Sequence, residues 1–143
     1  MAIFAIDNNQ TINYSLKSDA SDDKTIFVLK PLTIREKLNL ALLSSNSGID
    51  DGTEKSGTSK ENMIDMIFST LRYGLVGWSN FKMKDGDVIK DVPFETEEIT
   101  LGNRKIKLLK YESIDKYLSD AILNELNEKI LEITNLSREQ TKN

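Results

Sequence analysis

The chain contains no cysteine and no histidine among its 143 residues. Without cysteine, disulfides, thiolate nucleophiles, iron–sulfur clusters and cysteine-type zinc sites are excluded. Without histidine, the Ser-His-Asp and Cys-His catalytic arrangements and histidine-bound metals are excluded as well. Any catalysis would depend on carboxylate, lysine or tyrosine chemistry, so we do not expect an enzyme, and we expect no cofactor.

Long apolar runs and a strong charge of one sign are also missing. The 19 basic and 23 acidic residues give a net charge of −4, which argues against non-specific binding to nucleic acid. Residues 1–6 are apolar, but no basic residue precedes Lys17, so they do not resemble a signal peptide. No run approaches the length of a membrane span. We expect a soluble, cytoplasmic protein with a single domain over residues 1–143.

Short β-branched and aromatic runs predict strands. Residues 25–29 suit a buried strand, and the alternating residues 12–16 can pair with it in an antiparallel hairpin. The segment 80–89 contains a central Asp-Gly, a dipeptide typical of tight hairpin turns. A further strand is predicted over 105–111, after a turn at Gly102 and Asn103.

The first two predicted helices are separated by a polar segment. Thr33 and Glu36 match a capping box at the start of a helix over 34–43, in which three apolar residues share one face: Leu38, Ala41 and Leu42. Residues 44–59 are almost entirely polar, which predicts a flexible linker. Ser59 would cap the second helix, which ends near Gly74, where glycine tolerates a left-handed turn.

The longest predicted helix runs over 114–134, with Ser113 as its cap. Its apolar residues form one i, i+4 ridge: Ile114, Leu118, Ile122, Leu126 and Ile130. Such a ridge drifts around the helix axis, which leaves apolar surface near Leu123, Ile130 and Leu131. A partner subunit or a second contact within the chain would cover it. The whole pattern predicts an α+β fold, with a small antiparallel sheet and hairpins packed against two to three helices.

Motifs that suggest chemistry have simpler explanations. Residues 52–60 have the glycine spacing of a phosphate loop, but lysine does not follow the second glycine. The acidic residues of 50–54 and 85–87 lack the spacing of a calcium loop, and those of 95–98 suit an exposed edge. The basic cluster over 104–110 could follow a phosphate backbone, but we favour protection of an exposed sheet edge.

Two aromatic residues flank a glycine-bounded turn that follows Gly77. Trp78 and Phe81 could form a recognition surface, because aromatic side chains anchor many interfaces. By a narrow margin we favour the alternative, in which they cover the open end of a core.

Three stretches resemble a known group of proteins. They are FVLKPLTIRE at 27–36, GLVGWSNF at 74–81 and ILEITNLS at 130–137. Together they are similar to small morphogenesis proteins of tailed bacteriophages, especially tail-assembly-chaperone-like proteins. The resemblance covers most of the chain in outline, except residues 44–59 and 93–110.

The resemblance implies a protein that binds other phage proteins in the host cytoplasm during virion assembly. As a chaperone it would hold the tape-measure protein and recruit tail-tube subunits, presenting Trp78, Phe81, Leu123, Ile130 and Leu131 to its partners. The alternative is a capsid, neck or tail component of the mature virion, packed as a homo-oligomer. A carboxylate-dependent hydrolase is a third hypothesis. No specific nucleic acid and no membrane is expected as a partner.

Overall fold

The computed structural model describes residues 10–46, 55–101 and 103–140, with side chains described for 10–41, 63–100 and 103–135. Within these ranges the elements are β1 (Ile12–Tyr14), β2 (Ile26–Leu29), α1 (Ile34–Asn46), α2 (Lys55–Gly74), β3 (Leu75–Ser79), β4 (Lys82–Asp85), β5 (Val88–Asp91), β6 (Thr96–Leu101), β7 (Arg104–Leu109), α3 (Tyr111–Tyr117) and α4 (Asp120–Gln140). The predicted α+β fold with a long C-terminal helix is confirmed.

The strand β2 lies at the centre of an antiparallel sheet in the order β1-β2-β3. The predicted pairing of the first two strands is confirmed, with Ile12 opposite Leu29 and Tyr14 opposite Phe27. On its other side, Phe27 lies opposite Trp78. Because side chains alternate along a strand, Phe27 and Leu29 both enter the core, where they are wholly buried.

The predicted capping box begins α1. The Thr33 amide donates to Glu36 Oε1 at 2.9 Å, and the Glu36 amide donates to Thr33 Oγ1 at 3.2 Å. Lys30 Nζ also lies 3.2 Å from Glu36 Oε1, and Glu36 is buried. These contacts turn the Glu36 side of the helix inward. Leu40, one turn later, is therefore buried, whereas Leu38 on the predicted apolar face is 59% exposed.

Both helices extend into the predicted linker. α1 continues to Asn46 and α2 begins at Lys55, so Ser59 lies inside α2 and not at its cap. The boundaries predicted at 43 and 59 are therefore wrong by several residues, because polar composition does not prevent a helix terminus from extending. The remainder of the linker, residues 47–54, lies outside the described residues, and its flexibility stays a prediction.

Position 74, at the end of the second helix, requires glycine for a reason that differs from the predicted one. Among the described glycines, the positive φ is at Gly86 and not at Gly74. A Cβ added to Gly74 would instead lie 2.6 Å from Cγ2 of Ile130 in α4. The carbonyl of Gly74 also accepts a hydrogen bond from the Lys30 amide at 2.9 Å. Glycine is thus required by close packing of α4, and not by a left-handed turn.

The Asp-Gly signal correctly locates the hairpin of β4 and β5. Asp85 lies opposite Val88, so Gly86 and Asp87 form a two-residue loop. Gly86 has φ 66°, whereas Asp87 has no positive φ. Glycine with positive φ at the first loop position is typical of a type II′ turn.

The hairpin of β6 and β7 contains one strand that the sequence pattern missed. The predicted strand over 105–111 corresponds to β7, and its partner β6 contains Glu97 and Glu98 from the acidic group at 95–98. Ile99 lies opposite Ile106, and Glu98 lies opposite Lys107. Acidic and basic residues therefore become cross-strand neighbours, a favourable arrangement in a sheet.

The predicted final helix is interrupted. Leu118 has extended backbone angles, φ −101° and ψ 128°, and separates α3 from α4. Ser119 then caps α4: its Oγ accepts from the Ile122 amide at 3.4 Å, and its carbonyl accepts from the Leu123 amide at 2.8 Å. The expected cap, Ser113, is wrong, because it lies buried within α3. The i, i+4 ridge is therefore divided between two helices.

Despite this break, the residues of the ridge pack inward. Ile114, Leu118, Leu126 and Ile130 all belong to the hydrophobic core, which also contains Phe27, Leu29, Leu71, Leu75 and Leu109. Ile130 is wholly buried against Gly74. The expectation that Ile130 contributes to a partner surface is therefore wrong in this structure, because no part of its side chain is accessible.

Candidate partner-binding surfaces

The structure places the predicted site residues in different environments. Trp78 and Phe81 are half-buried beside the sheet, and Leu123 is half-buried near the start of α4. Leu131 is 39% exposed on the flank of the same helix. Leu123 and Leu131 are separated by eight residues, roughly 12 Å along a helix axis. The predicted residues therefore do not form one continuous surface.

Leu123 lies in a groove between α2 and the α3–α4 corner. The groove has a volume of about 380 Å³ and is lined by Ile64, Ile67, Phe68, Ile114, Asp115, Leu118, Asp120, Leu123 and Asn124. Ile64 is 50% exposed, whereas Phe68, Ile114 and Leu118 are buried at its floor. We call this feature the α2–α4 groove. Its lining is mainly apolar, which is typical of sites that receive apolar groups from a ligand or partner.

Acidic side chains surround one end of the α2–α4 groove. Asp115 and Asp120 are exposed, and neither forms an ion pair with a residue whose side chain is described. Near them, Tyr111 packs on Phe68, with ring centroids 4.8 Å apart. Burial, followed by the negative charges of Asp65 and Asp115, raises the pKa of Tyr111 above its usual value. The charged side chains that line this end of the groove, among those the structure describes, are thus Asp115 and Asp120.

Trp78 and Phe81 belong to an aromatic cluster with Phe27 and Phe94. The Trp78 ring lies edge-on to Phe81 and Phe94, with centroid distances of 5.2 and 4.7 Å. Trp78 Nε1 donates to the Val92 carbonyl at 2.9 Å, so its polar group is satisfied within the chain. These contacts join the sheet to the end of the β4–β5 hairpin. A role of the two residues in partner binding stays a prediction.

The β4–β5 hairpin has exposed apolar residues that the sequence pattern did not predict. Val88 and Ile89 are 55% and 64% exposed on the β4–β5 hairpin. Ion pairs of Lys82 with Asp91 and of Lys90 with Asp85 bridge its two strands. The exposure of Val88 and Ile89 could not be predicted from neighbouring residues, because alternation in a short strand does not show whether either face of the strand packs against a core. The hairpin is a second surface with accessible apolar side chains.

The three glutamates in and before β6 each lie within ion-pair distance of a basic residue. Glu97 binds Arg72 at 2.5 Å, Glu95 lies 3.4 Å from Lys110, and Glu98 lies 4.0 Å from Lys105. Arg72 Nε also donates to the Leu109 carbonyl at 2.9 Å. Two of these pairs join the acidic and basic clusters that the sequence suggests separately, and the third joins Glu97 to α2.

The described part of the chain contains no group of three or more acidic side chains placed to hold a metal ion. Within the same ranges, no helix has both the length and the apolar character needed to cross a bilayer. Comparisons with protein-family models, curated proteins and solved structures found no match to the chain.

Proposed function

We propose that the protein is a non-catalytic bacteriophage virion-assembly protein that acts through protein–protein contacts, in the manner of a tail-assembly chaperone. The observation that carries this proposal is the α2–α4 groove, in which Ile64 stays half exposed beside Leu123. A groove between helices can bind the apolar face of a partner segment. The phage context of the proposal comes from the resemblance of residues 27–36, 74–81 and 130–137 to tailed-phage morphogenesis proteins.

In this role the protein acts in the host cytoplasm while virions assemble, and its partners are phage tail or head proteins. Holding a tape-measure protein and recruiting tail-tube subunits requires binding surfaces and no chemical step. The accessible groove provides such a surface within a folded domain.

A second candidate is a subunit of the mature virion. The exposed Val88 and Ile89 of the β4–β5 hairpin favour it, because neighbouring copies in a symmetric assembly could cover them. The two candidates differ in whether the protein remains in the finished particle.

Gene deletion from the phage, with complementation, tests the proposal. A chaperone role predicts that deletion yields heads without tails, and that the protein is abundant in lysate but absent from purified particles by quantitative mass spectrometry. A fixed, symmetry-related copy number in particles would establish the structural role instead. Normal infectious particles in the absence of the gene would overturn both.

Two variants connect this test to the groove. Ile64→Glu places a charge on the half-exposed groove wall, whereas Ile89→Glu makes the same change at a comparably exposed residue of the hairpin. The chaperone proposal expects the first variant to fail in complementation and the second to succeed, with both proteins folded by circular dichroism. The opposite result would assign partner binding to the hairpin.

A further inference from the structure

The walls of the α2–α4 groove are two helical rows with matching spacing. Ile64, Ile67 and Phe68 occupy positions i, i+3 and i+4 on α2, and Asp120, Leu123 and Asn124 occupy the same positions on α4. Residues at this spacing lie on one face of a helix. The two rows border a valley with Ile114 and Leu118 beneath it, and the side-chain ridge of a third helix can pack into such a valley.

Among the side chains that the structure describes, the charged residues that line the groove are both acidic. Asp115 and Asp120 line it and are exposed, and their carboxylates have no basic partner among the side chains that the structure describes. Lys116, the basic neighbour of Asp115 in sequence, has its Nζ 5.3 Å from the Tyr117 ring centroid. Exposed charges beside an apolar site attract partners of opposite charge and reject those of like charge.

We infer that the α2–α4 groove binds an amphipathic helix whose apolar face is flanked by lysine or arginine residues. The inference rests on the proposed function and specifies the partner segment: apolar residues at i, i+3, i+4 and i+7 enter the groove, and basic residues meet Asp115 and Asp120. Hydrophobic contact supplies most of the affinity, and the acidic end of the groove selects the charge of the partner.

Synthetic peptides test this inference with the full-length protein. Three fluorescein-labelled helical peptides of about 18 residues, or five turns, would share one leucine face and carry lysine, glutamine or glutamate beside it. Fluorescence anisotropy would measure each dissociation constant. We expect the lysine peptide to bind at least about tenfold more tightly than the glutamate peptide at low salt, and the preference to shrink at about 0.5 M salt.

Matched variants separate local recognition from the overall negative charge. Asp115→Asn with Asp120→Asn keeps the side-chain shapes and should reduce the lysine preference to about threefold or less. Asp22→Asn with Asp87→Asn changes the net charge equally at exposed sites outside the groove and should leave the preference intact. Ile64→Glu should weaken binding of the glutamine peptide, which reports on the apolar contact alone.

Equal affinity for all three peptides, equal effects of both aspartate pairs, or no binding of any peptide would overturn the inference. Complementation distinguishes this failure from failure of the proposed function. If Ile64→Glu blocks phage assembly while the Asp115→Asn, Asp120→Asn variant does not, the groove binds a partner of different charge. If Ile64→Glu assembles normally, the groove is not the functional surface.

Discussion

Gly74 and Ile130 are in such close contact that no side chain fits between them. A Cβ on Gly74 would lie 2.6 Å from Cγ2, 2.9 Å from Cδ1 and 3.0 Å from Cγ1 of Ile130. Ile130 is wholly buried, so its side chain has little freedom to move away. This contact fixes how closely α4 approaches the end of α2, and these two helices form opposite walls of the α2–α4 groove.

Replacing Gly74 with alanine should therefore destabilise the protein by about 1–3 kcal/mol, the usual cost of overpacking a core. Urea denaturation followed by the fluorescence of Trp78, the single tryptophan, measures the change. Gly77→Ala is a matched control, because its added Cβ would lie 3.7 Å from Val28, an ordinary contact. We expect Gly77→Ala to change stability by less than about 1 kcal/mol.

A double-mutant cycle tests the cause of the destabilisation. Ile130→Ala alone should cost about 2–5 kcal/mol, because it leaves a cavity in the core. Combined with Gly74→Ala, it makes room for the new methyl group. The sum of the stability losses of the two single variants should therefore exceed the loss measured for the double variant by at least about 1 kcal/mol. Strict additivity would show that the contact with Ile130 is not what requires glycine at position 74.

Thr134 joins α4 to the segment before α1 through a buried hydroxyl. Its Oγ1 accepts from the Leu32 amide at 3.0 Å and donates to the Ile130 carbonyl at 2.7 Å. Thr134→Val leaves the Leu32 amide without a partner, which should cost about 1–3 kcal/mol, and more than Thr134→Ser, which keeps the hydroxyl. Hydrogen exchange provides a local check: the Leu32 amide should exchange faster in the valine variant only. Unchanged protection would contradict the assigned bond.

Tyr14 should make stability depend on alkaline pH. Its hydroxyl donates to Glu125 Oε2 at 2.6 Å. Burial, followed by this hydrogen bond and the charge of Glu125, raises the pKa of Tyr14 from 10.0 to about 12. Between these values the folded state holds the proton more tightly than the unfolded state. The contribution of protonated Tyr14 to the free energy of unfolding is therefore fully present below pH 10, and it is lost as the pH rises towards 12.

Comparison with Tyr14→Phe isolates this effect from the lysines that titrate in the same range. The fall in unfolding free energy between pH 10 and pH 12 should be steeper in the parent protein than in the variant. Glu125→Gln removes a charge but keeps an acceptor, so it should give an intermediate slope. Identical slopes in all three proteins would contradict the contact between β1 and α4.

Short sequence motifs predicted much of this fold, because helix caps and tight turns depend mainly on residues that are neighbours in the sequence. The capping box of Thr33 and Glu36 and the turn at Gly86 need only a few consecutive residues, and the structure contains both. The break at Ser119 was missed because a serine inside an apolar helical pattern is compatible with either continuation or capping. Packing of the α3–α4 corner decides between them. The role of Gly74 likewise depends on Ile130, far along the chain.

The candidate groove was only partly accessible to sequence reasoning. Helical periodicity identifies Leu123, but nothing in the sequence alone distinguishes Ile64, Asp115 and Asp120 as residues of a groove. The groove is formed by separate elements whose angles follow from tertiary packing. Periodicity shows which residues share one face of a helix, but it does not show where two neighbouring helices separate and leave a groove between them. Ile130 was misassigned for the same reason, because its burial depends on α2.

The last prediction concerns the two adjacent residues Ile130 and Leu131, which have opposite environments. Leu131 is 39% exposed and Ile130 is wholly buried. Leu131→Asp should keep the fold and weaken binding to the phage proteins that we propose as partners, whereas Ile130→Asp should unfold the domain by burying an unpaired carboxylate. Circular dichroism and co-purification with tail proteins from infected cells measure the two effects. Unfolding of Leu131→Asp would place Leu131 in the core. A folded variant with undiminished binding would instead exclude Leu131 from the partner surface and leave the α2–α4 groove as the contact offered by α4, which lines that groove through Asp120, Leu123 and Asn124.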